Sequence, residues 1–220
     1  MAICLVILGI LALVFAVFAG TSSAANSGVP IDPNNAGPDT VLAQAAGVDI
    51  YTPIRPANLT GIGYHPDGQS LVEMAPRGKN LSSNVIFSLF NGGSTPENIK
   101  YHVMASAGRE GFHTGAMDVG AEAKTSVYAP VTGTITSVRP DPMVQGANVI
   151  EIKSSDNPNL RFSISLVKDI SKGIGPEKPV TAGMTEIGSV ADSSEVLKPQ
   201  LSEVTNDAGN HVTVSATKIG

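Results

Sequence analysis

Chemistry in this 220-residue chain has to be built from few groups: four histidines, 19 carboxylates and one cysteine. The histidines are His65, His102, His113 and His211. His113 is the one with a close acidic neighbour, because Asp118 follows it in the segment FHTGAMDVG. A histidine and a carboxylate held together can ligate zinc, but such a site needs about three protein ligands and an open position for water. On spacing alone the pair serves equally well as a polar contact in a loop. His211 lies in the alternating run NHVTVSA after a Gly209-Asn210 turn and can lean inward. His65 and His102 have no partner motif and read as surface or hydrogen-bonded histidines. Cys4, the single cysteine, sits inside an apolar run, which excludes a disulfide scaffold, a cysteine-ligated zinc site and a cysteine hydrolase.

Other site types lack their parts. The pieces GREG and NGGS have neither the strand–loop–helix setting nor the lysine of a phosphate-binding loop. No Gly-x-Ser-x-Gly elbow exists for a serine hydrolase. A net charge of −5 leaves no electrostatic footprint for a polyanion, so nucleic acid is not an expected partner.

The elements that must position these groups follow from the pattern of apolar and turn residues. Residues 3–20 (ICLVILGILALVFAVFAG) carry no charge and are long enough for a signal peptide or a membrane anchor. Small residues Ser23 and Ala25 stand at cleavage positions, and the first basic residue beyond the run is Arg55, after Asp32, Asp39 and Asp49. Export of the remainder is therefore expected, with attachment to the membrane if residues 3–20 are kept. Residues 26–37 (NSGVPIDPNNAG) read as linker. Residues 39–46 (DTVLAQAA), with Gly47 as stop, and 83–90 (SNVIFSLF), ended by Asn91-Gly92-Gly93, read as short helices. Residues 53–80 are punctuated by Pro and Gly and read as irregular. From residue 99 the pattern changes to short β-prone runs at 100–105, 126–129, 133–138, 147–153, 160–167, 186–190 and 210–217. The expectation is an all-β, antiparallel domain with short N-terminal helices behind an N-terminal hydrophobic helix. The domain boundaries are then 1–25 for the signal or anchor, 26–80 for the linker and irregular segment, and 81–220 for the β domain.

The run HTGAMDVGAEAKTSVYAPVTGTITSV resembles the first signature of the lysostaphin/LytM-type zinc metallopeptidases. His113, Gly115 and Asp118 are followed by Val127-Tyr128-Ala129-Pro130, Gly133 and Ile135, as in that family. Asn148-Val149-Ile150-Glu151-Ile152 is similar to its Gly-Asn-x-Val-x-Ile strand. Val180-Thr181-Ala182-Gly183, with Ile187-Gly188-Ser189-Val190, is similar to its later turn and strand. The resemblance covers residues 99–205 and implies a LytM-type β domain in an extracytoplasmic setting, with zinc on His113 and Asp118 if metal is bound.

The departures shape the functional expectation. Family members have four residues from the histidine to the aspartate, whereas here there are five. The family's Tyr-x-His-Leu motif matches Phe162-Ser163-Ile164-Ser165-Leu166, placing Ser165 where a histidine is expected. Its final His-Leu-His-Phe-Glu-Val motif, which supplies a zinc ligand and a catalytic histidine, aligns with Pro199-Gln200-Leu201-Ser202-Glu203-Val204. Zinc hydrolysis needs a bound water near neutral pKa and a group to move its proton, and this pattern offers neither. The resemblance therefore implies an exported domain with no catalytic residue and no required cofactor. Such a domain binds peptidoglycan or regulates a cell-wall hydrolase, with His113, Asp118, Tyr128 and Ser165, and Met117 beside them, as groove contacts. The alternative is an active zinc metalloendopeptidase on wall peptides, with a third ligand outside these motifs.

Overall fold

A computed structural model describes residues 40–82 and 99–219. The apolar run 3–20 and the helix expected at 83–90 lie outside the described residues. Among those described, no helix is long and apolar enough to cross a membrane.

The chain is built from strands. Val41–Ala45 (β1), Val48–Tyr51 (β2) and Met74–Pro76 (β4) form a three-stranded sheet in the order β2-β1-β4. The larger sheet contains Gly61–His65 (β3), Lys79–Asn80 (β5), Lys100–Val103 (β6), Ala116–Gly120 (β7), Ser126–Tyr128 (β8) and Gly133–Pro140 (β9). It continues with Asn148–Ser154 (β10), Leu160–Lys168 (β11), Pro179–Val180 (β12), Glu186–Val190 (β13) and His211–Lys218 (β14). Its main path runs β12-β9-β10-β11-β14-β7-β3-β6-β5, while β13 joins β11 to β8. The fold is thus predominantly β, as the sequence pattern implies. Pairing is antiparallel throughout except at β3–β6 and β5–β6, which are parallel.

The segment expected as a helix at 39–46 is instead β1. Leu42, Ala43 and Ala45 are buried, and the hairpin to β2 turns at Ala46-Gly47, where φ is +44° and +87°. Positive φ at both central residues matches the right-handed twist of a hairpin. Gly47 therefore closes a hairpin and does not end a helix. A second difference lies at Gly61–His65, expected as part of an irregular segment. Its Ile62 and Tyr64 face the core while Gly61 and Gly63 face the other side, a period of two. Side chains from elsewhere fill the room those glycines leave. A Cβ on Gly63 would lie 2.4 Å from Met104 Cε and 3.3 Å from Leu201 Cδ1. Because β3 pairs with β7, the sheet runs across the boundary expected between residues 80 and 81.

Alternation explains why the central strands form where they do. In β11, Leu160, Phe162 and Ile164 are buried, while Arg161, Ser163 and Ser165 face outward and are half-buried. In β14, Val212, Val214 and Ala216 face the same core, with Thr213, Ser215 and Thr217 outward. Burying each large apolar side chain contributes about 1.5–3 kcal/mol, so a one-residue slip, which would expose the whole set, is strongly disfavoured. Tyr64 ties the two sheets together, donating its hydroxyl to the Leu42 carbonyl at 3.0 Å and meeting Tyr101 edge-on at 5.1 Å.

Candidate polar site on the main sheet

Strand register places the chemistry. Asp118 on β7 stands opposite Thr213 of β14 on one side and Gly63 of β3 on the other, and Thr213 stands opposite Ser165 of β11. These residues form one cross-strand row on the face away from the core. The neighbouring row contains Ser163, Ser215, Ala116 and His65, and the next contains His211, Gly120 and Gly61.

Asp118 is the centre of this face and is only 7% exposed. Its Oδ1 accepts from Thr213 Oγ1 at 2.7 Å and from His65 Nε2 at 2.9 Å. His211 Nε2 lies 3.7 Å from the same oxygen. Both imidazoles are fixed from behind: His65 Nδ1 donates to the Pro66 carbonyl at 3.1 Å, and His211 Nδ1 donates to the Gly209 carbonyl at 2.7 Å. A carbonyl oxygen can only accept, so the proton on each Nδ1 is set by the backbone.

The electrostatics follow from this arrangement. Burial by itself raises the Asp118 pKa, but His211, the His65 hydrogen bond and charge, and the Thr213 hydroxyl outweigh it and bring the value down to about 2. Burial likewise works against a charged His65. The hydrogen bond to Asp118 and its negative charge prevail, and the His65 pKa ends above its ordinary value.

A strap covers the far end of the face. Leu201, completely buried, sits where a side chain on Gly120 would otherwise be, its Cδ2 2.6 Å from that Cβ position, and its Cδ1 packs beside Gly63 and Gly61. Leu201 belongs to the helical turn Gln200–Glu203, stabilised by Ser202 Oγ donating to the Pro199 carbonyl. Residues 199–204, matched in the sequence to the final family motif, thus contain a helical turn, and the strand beside Asp118 is β14, which carries His211 and Thr213. On the other flank Glu151 lies between Arg161 (3.4 Å) and Arg139 (3.6 Å) and accepts from Ser137 Oγ at 3.1 Å. The floor between these flanks consists of the short hydroxyl side chains of Ser163, Ser165, Thr213, Ser215 and Thr217. Strand spacing makes two strands of such a floor about 10 Å wide.

The sequence candidates separate. Asp118 and Ser165 share the central row. His113 is exposed in the turn before β7, and no contact joins it to Asp118. Tyr128 is on β8, half-buried with the Arg55 guanidinium 4.0 Å above its ring, away from the strands that carry Asp118. Met117 is fully buried on the core face. His65 and Thr213 had no part in the sequence reading of the site, although the alternation of GIGYH and of NHVTVSA carries the signal.

Two hydrogen-bond donors, Thr213 and His65, engage Oδ1 of Asp118. Among the described residues no group of three His, Cys, Asp or Glu side chains could hold a metal ion.

No family model matches the chain, and no curated protein matches it. Solved structures to which the chain is similar include the following three. A chain of the SpoIIQ–SpoIIIAH pore-forming complex is 18% identical, with a TM-score of 0.33, over 47% of this chain and 59% of that one. The M23 metalloprotease pseudoalterin from the deep sea is 17% identical, with a TM-score of 0.33, over 50% and 61%. A zinc-containing peptidase from Vibrio cholerae is 14% identical, with a TM-score of 0.41, over 80% of this chain and 43% of that one. In each case the chain spans less than two thirds of the other chain's length.

Proposed function

We propose that this chain is an exported, catalytically degenerate LytM-like domain that binds peptidoglycan on the polar face of its main sheet. A domain so bound regulates wall hydrolysis by occupying the strand that a hydrolase would cut. The observation that carries the reading is the state of Asp118: its Oδ1 is already engaged by Thr213 and His65, which favours a structural role for this carboxylate over activation of a water. The floor of Ser163, Ser165 and Ser215 offers hydroxyl groups to a polymer rich in hydroxyls and amides, and Leu201 limits how far that polymer can extend past β7. Export rests on the uncharged run 3–20.

The test is co-sedimentation of the full-length, detergent-solubilised chain with purified peptidoglycan sacculi, with turbidity followed in parallel. The expected result is sedimentation with the sacculi at constant turbidity, weakened by Ser165→Arg, which puts a long side chain across the floor. A chain that stays in the supernatant would sink the binding reading. Clearing of the sacculi that depends on added zinc would establish the peptidase alternative.

A further inference from the structure

Positive charge gathers on the β9–β11 flank of the polar face. Glu151 on β10 stands directly opposite Ser163 of β11 and Ser137 of β9. Arg161 and Arg139 come from two residues further along those strands, so they approach Glu151 on opposite diagonals, which long side chains can span. Both guanidiniums lean over the one carboxylate, at 3.4 and 3.6 Å. These separations exceed the roughly 2.7–2.9 Å of a charge-assisted hydrogen bond, so Glu151 balances charge without filling either planar fork. Arg161 Nε is shielded from solvent and has no hydrogen-bond partner among the described residues. A buried donor left unpaired costs free energy, which an acceptor on a ligand would relieve. Lys153, exposed and in register with Arg161, adds a further cation. This flank is therefore positive in a chain whose net charge is −5.

We propose that Arg161 and Arg139, held over β10 by Glu151, form a carboxylate-binding site at the edge of the hydroxyl floor. A guanidinium presents paired N–H donors whose spacing matches the two oxygens of a carboxylate, and it stays charged across the whole working pH range. Glu151 offsets one of the two guanidinium charges, which leaves the arginine pair with a single positive charge, matched to one carboxylate. The site continues into neutral ground, because Arg161 stands opposite Thr217 of β14 and Ser163 opposite Ser215. A polymer lying on this floor meets hydroxyls along β11 and β14 and cationic forks at the β10 side. The matching ligand carries carboxylates on a backbone rich in hydroxyls and amides. That these are the lactyl and peptide carboxylates of peptidoglycan rests on the reading above, whereas the site itself rests on the arginines.

The experiment uses polygalacturonate, a hydroxyl-rich polymer with a carboxylate on each sugar, and its methyl ester, which has the same backbone without the charge. Each is titrated into the full-length, detergent-solubilised chain with ¹⁵N-labelled arginine, and the Nε–H signals are followed by NMR. Arg161 and Arg139 are assigned from the signals lost in Arg161→Lys and Arg139→Lys. The Arg161 signal should shift with the acid polymer and stay in place with the ester. Arg161→Lys, which keeps the charge but loses the fork, should bind the acid polymer roughly tenfold more weakly. In parallel, converting the carboxyls of sacculi to amides should lower co-sedimentation of the native chain roughly fivefold or more. No shift with either polymer, equal binding of acid and ester, sacculi bound equally well after amidation, or an Arg161→Lys variant as tight as the native chain would overturn the proposal. A chain that ignores sacculi yet binds polygalacturonate through Arg161 would sink the peptidoglycan reading and leave the site standing. Displacement of polygalacturonate by inorganic phosphate at far lower concentration than by acetate would reassign the site to phosphates and overturn the carboxylate assignment.

Discussion

Substituting Asp118 by asparagine tests the central pair quantitatively. The substitution keeps the size of the side chain and mimics a permanently protonated carboxyl. The Asp118 pKa falls from 3.8 to about 2 in the folded chain. A shift of about two units corresponds to roughly 2–3 kcal/mol of preference for the charged form, so Asp118→Asn should lose about that much at pH 5.5. The sign of the pH dependence follows from both partners. Asp118, with its folded value depressed, stabilises fully above pH 3.8 and loses that contribution as pH falls toward 2. His65, with its folded value raised, stabilises fully below pH 6.5 and loses its contribution as pH rises through the folded value. The pair is thus fully effective between about pH 4 and 6.5. Urea unfolding of native and variant chains at pH 5.5, 7, 8.5 and 9.5 reads this directly. With a denaturant slope of about 2 kcal/mol per molar, the midpoint at pH 5.5 should drop by roughly 1 M, and the gap between the two chains should narrow as pH rises. Midpoints that coincide at pH 5.5, or a gap that stays constant to pH 9.5, would refute the reasoning.

Four further outcomes are expected. Leu201→Ala should cost about 2–5 kcal/mol in thermal or urea unfolding, because the glycines around it offer no side chains to refill its seat. Gly133→Ala should destabilise more than Gly63→Ala in paired denaturation curves: its Cβ would lie 2.1 Å from the Lys153 carbonyl oxygen, whereas Gly63 meets the flexible end of Met104. Ala46→Asn should stabilise the fold slightly, by about 0.5–1 kcal/mol, read as a small rise in the unfolding midpoint, since asparagine tolerates the left-handed φ of +44° at that hairpin position better than alanine. His113→Ala should leave stability within about 0.5 kcal/mol, as expected of an exposed turn residue, and circular dichroism melts would detect a larger role.

Much of the β domain is legible in the residues themselves. The runs at 126–129, 133–138, 160–167 and 186–190 each correspond to an observed strand, because their apolar residues alternate and turn residues bound them. Where local signals misled, packing had changed their meaning. The residues DTVLAQAA satisfy a helix pattern, yet Leu42 and Ala43 are buried in a hairpin, and the Ala46-Gly47 turn and the pairing of β1 with both β2 and β4 outweigh the helical propensity of alanine. The glycines of GIGYH read as punctuation in one dimension. In three dimensions they are the gaps that Thr205 and Met104 occupy, with Leu201 packed beside them.

The sequence alone determined the all-β class, the strand spacing and the absence of cysteine chemistry, since each depends on neighbours within a few residues. It also singled out Asp118. The partners of Asp118 were a matter for the tertiary structure alone: His65 is 53 positions away, Thr213 is 95 positions away, and the sequence-adjacent His113 is not among them. Side chains on one sheet face meet according to strand order and register, which long-range burial of Val212, Val214, Met117 and Tyr64 fixes, and no local spacing encodes that pairing.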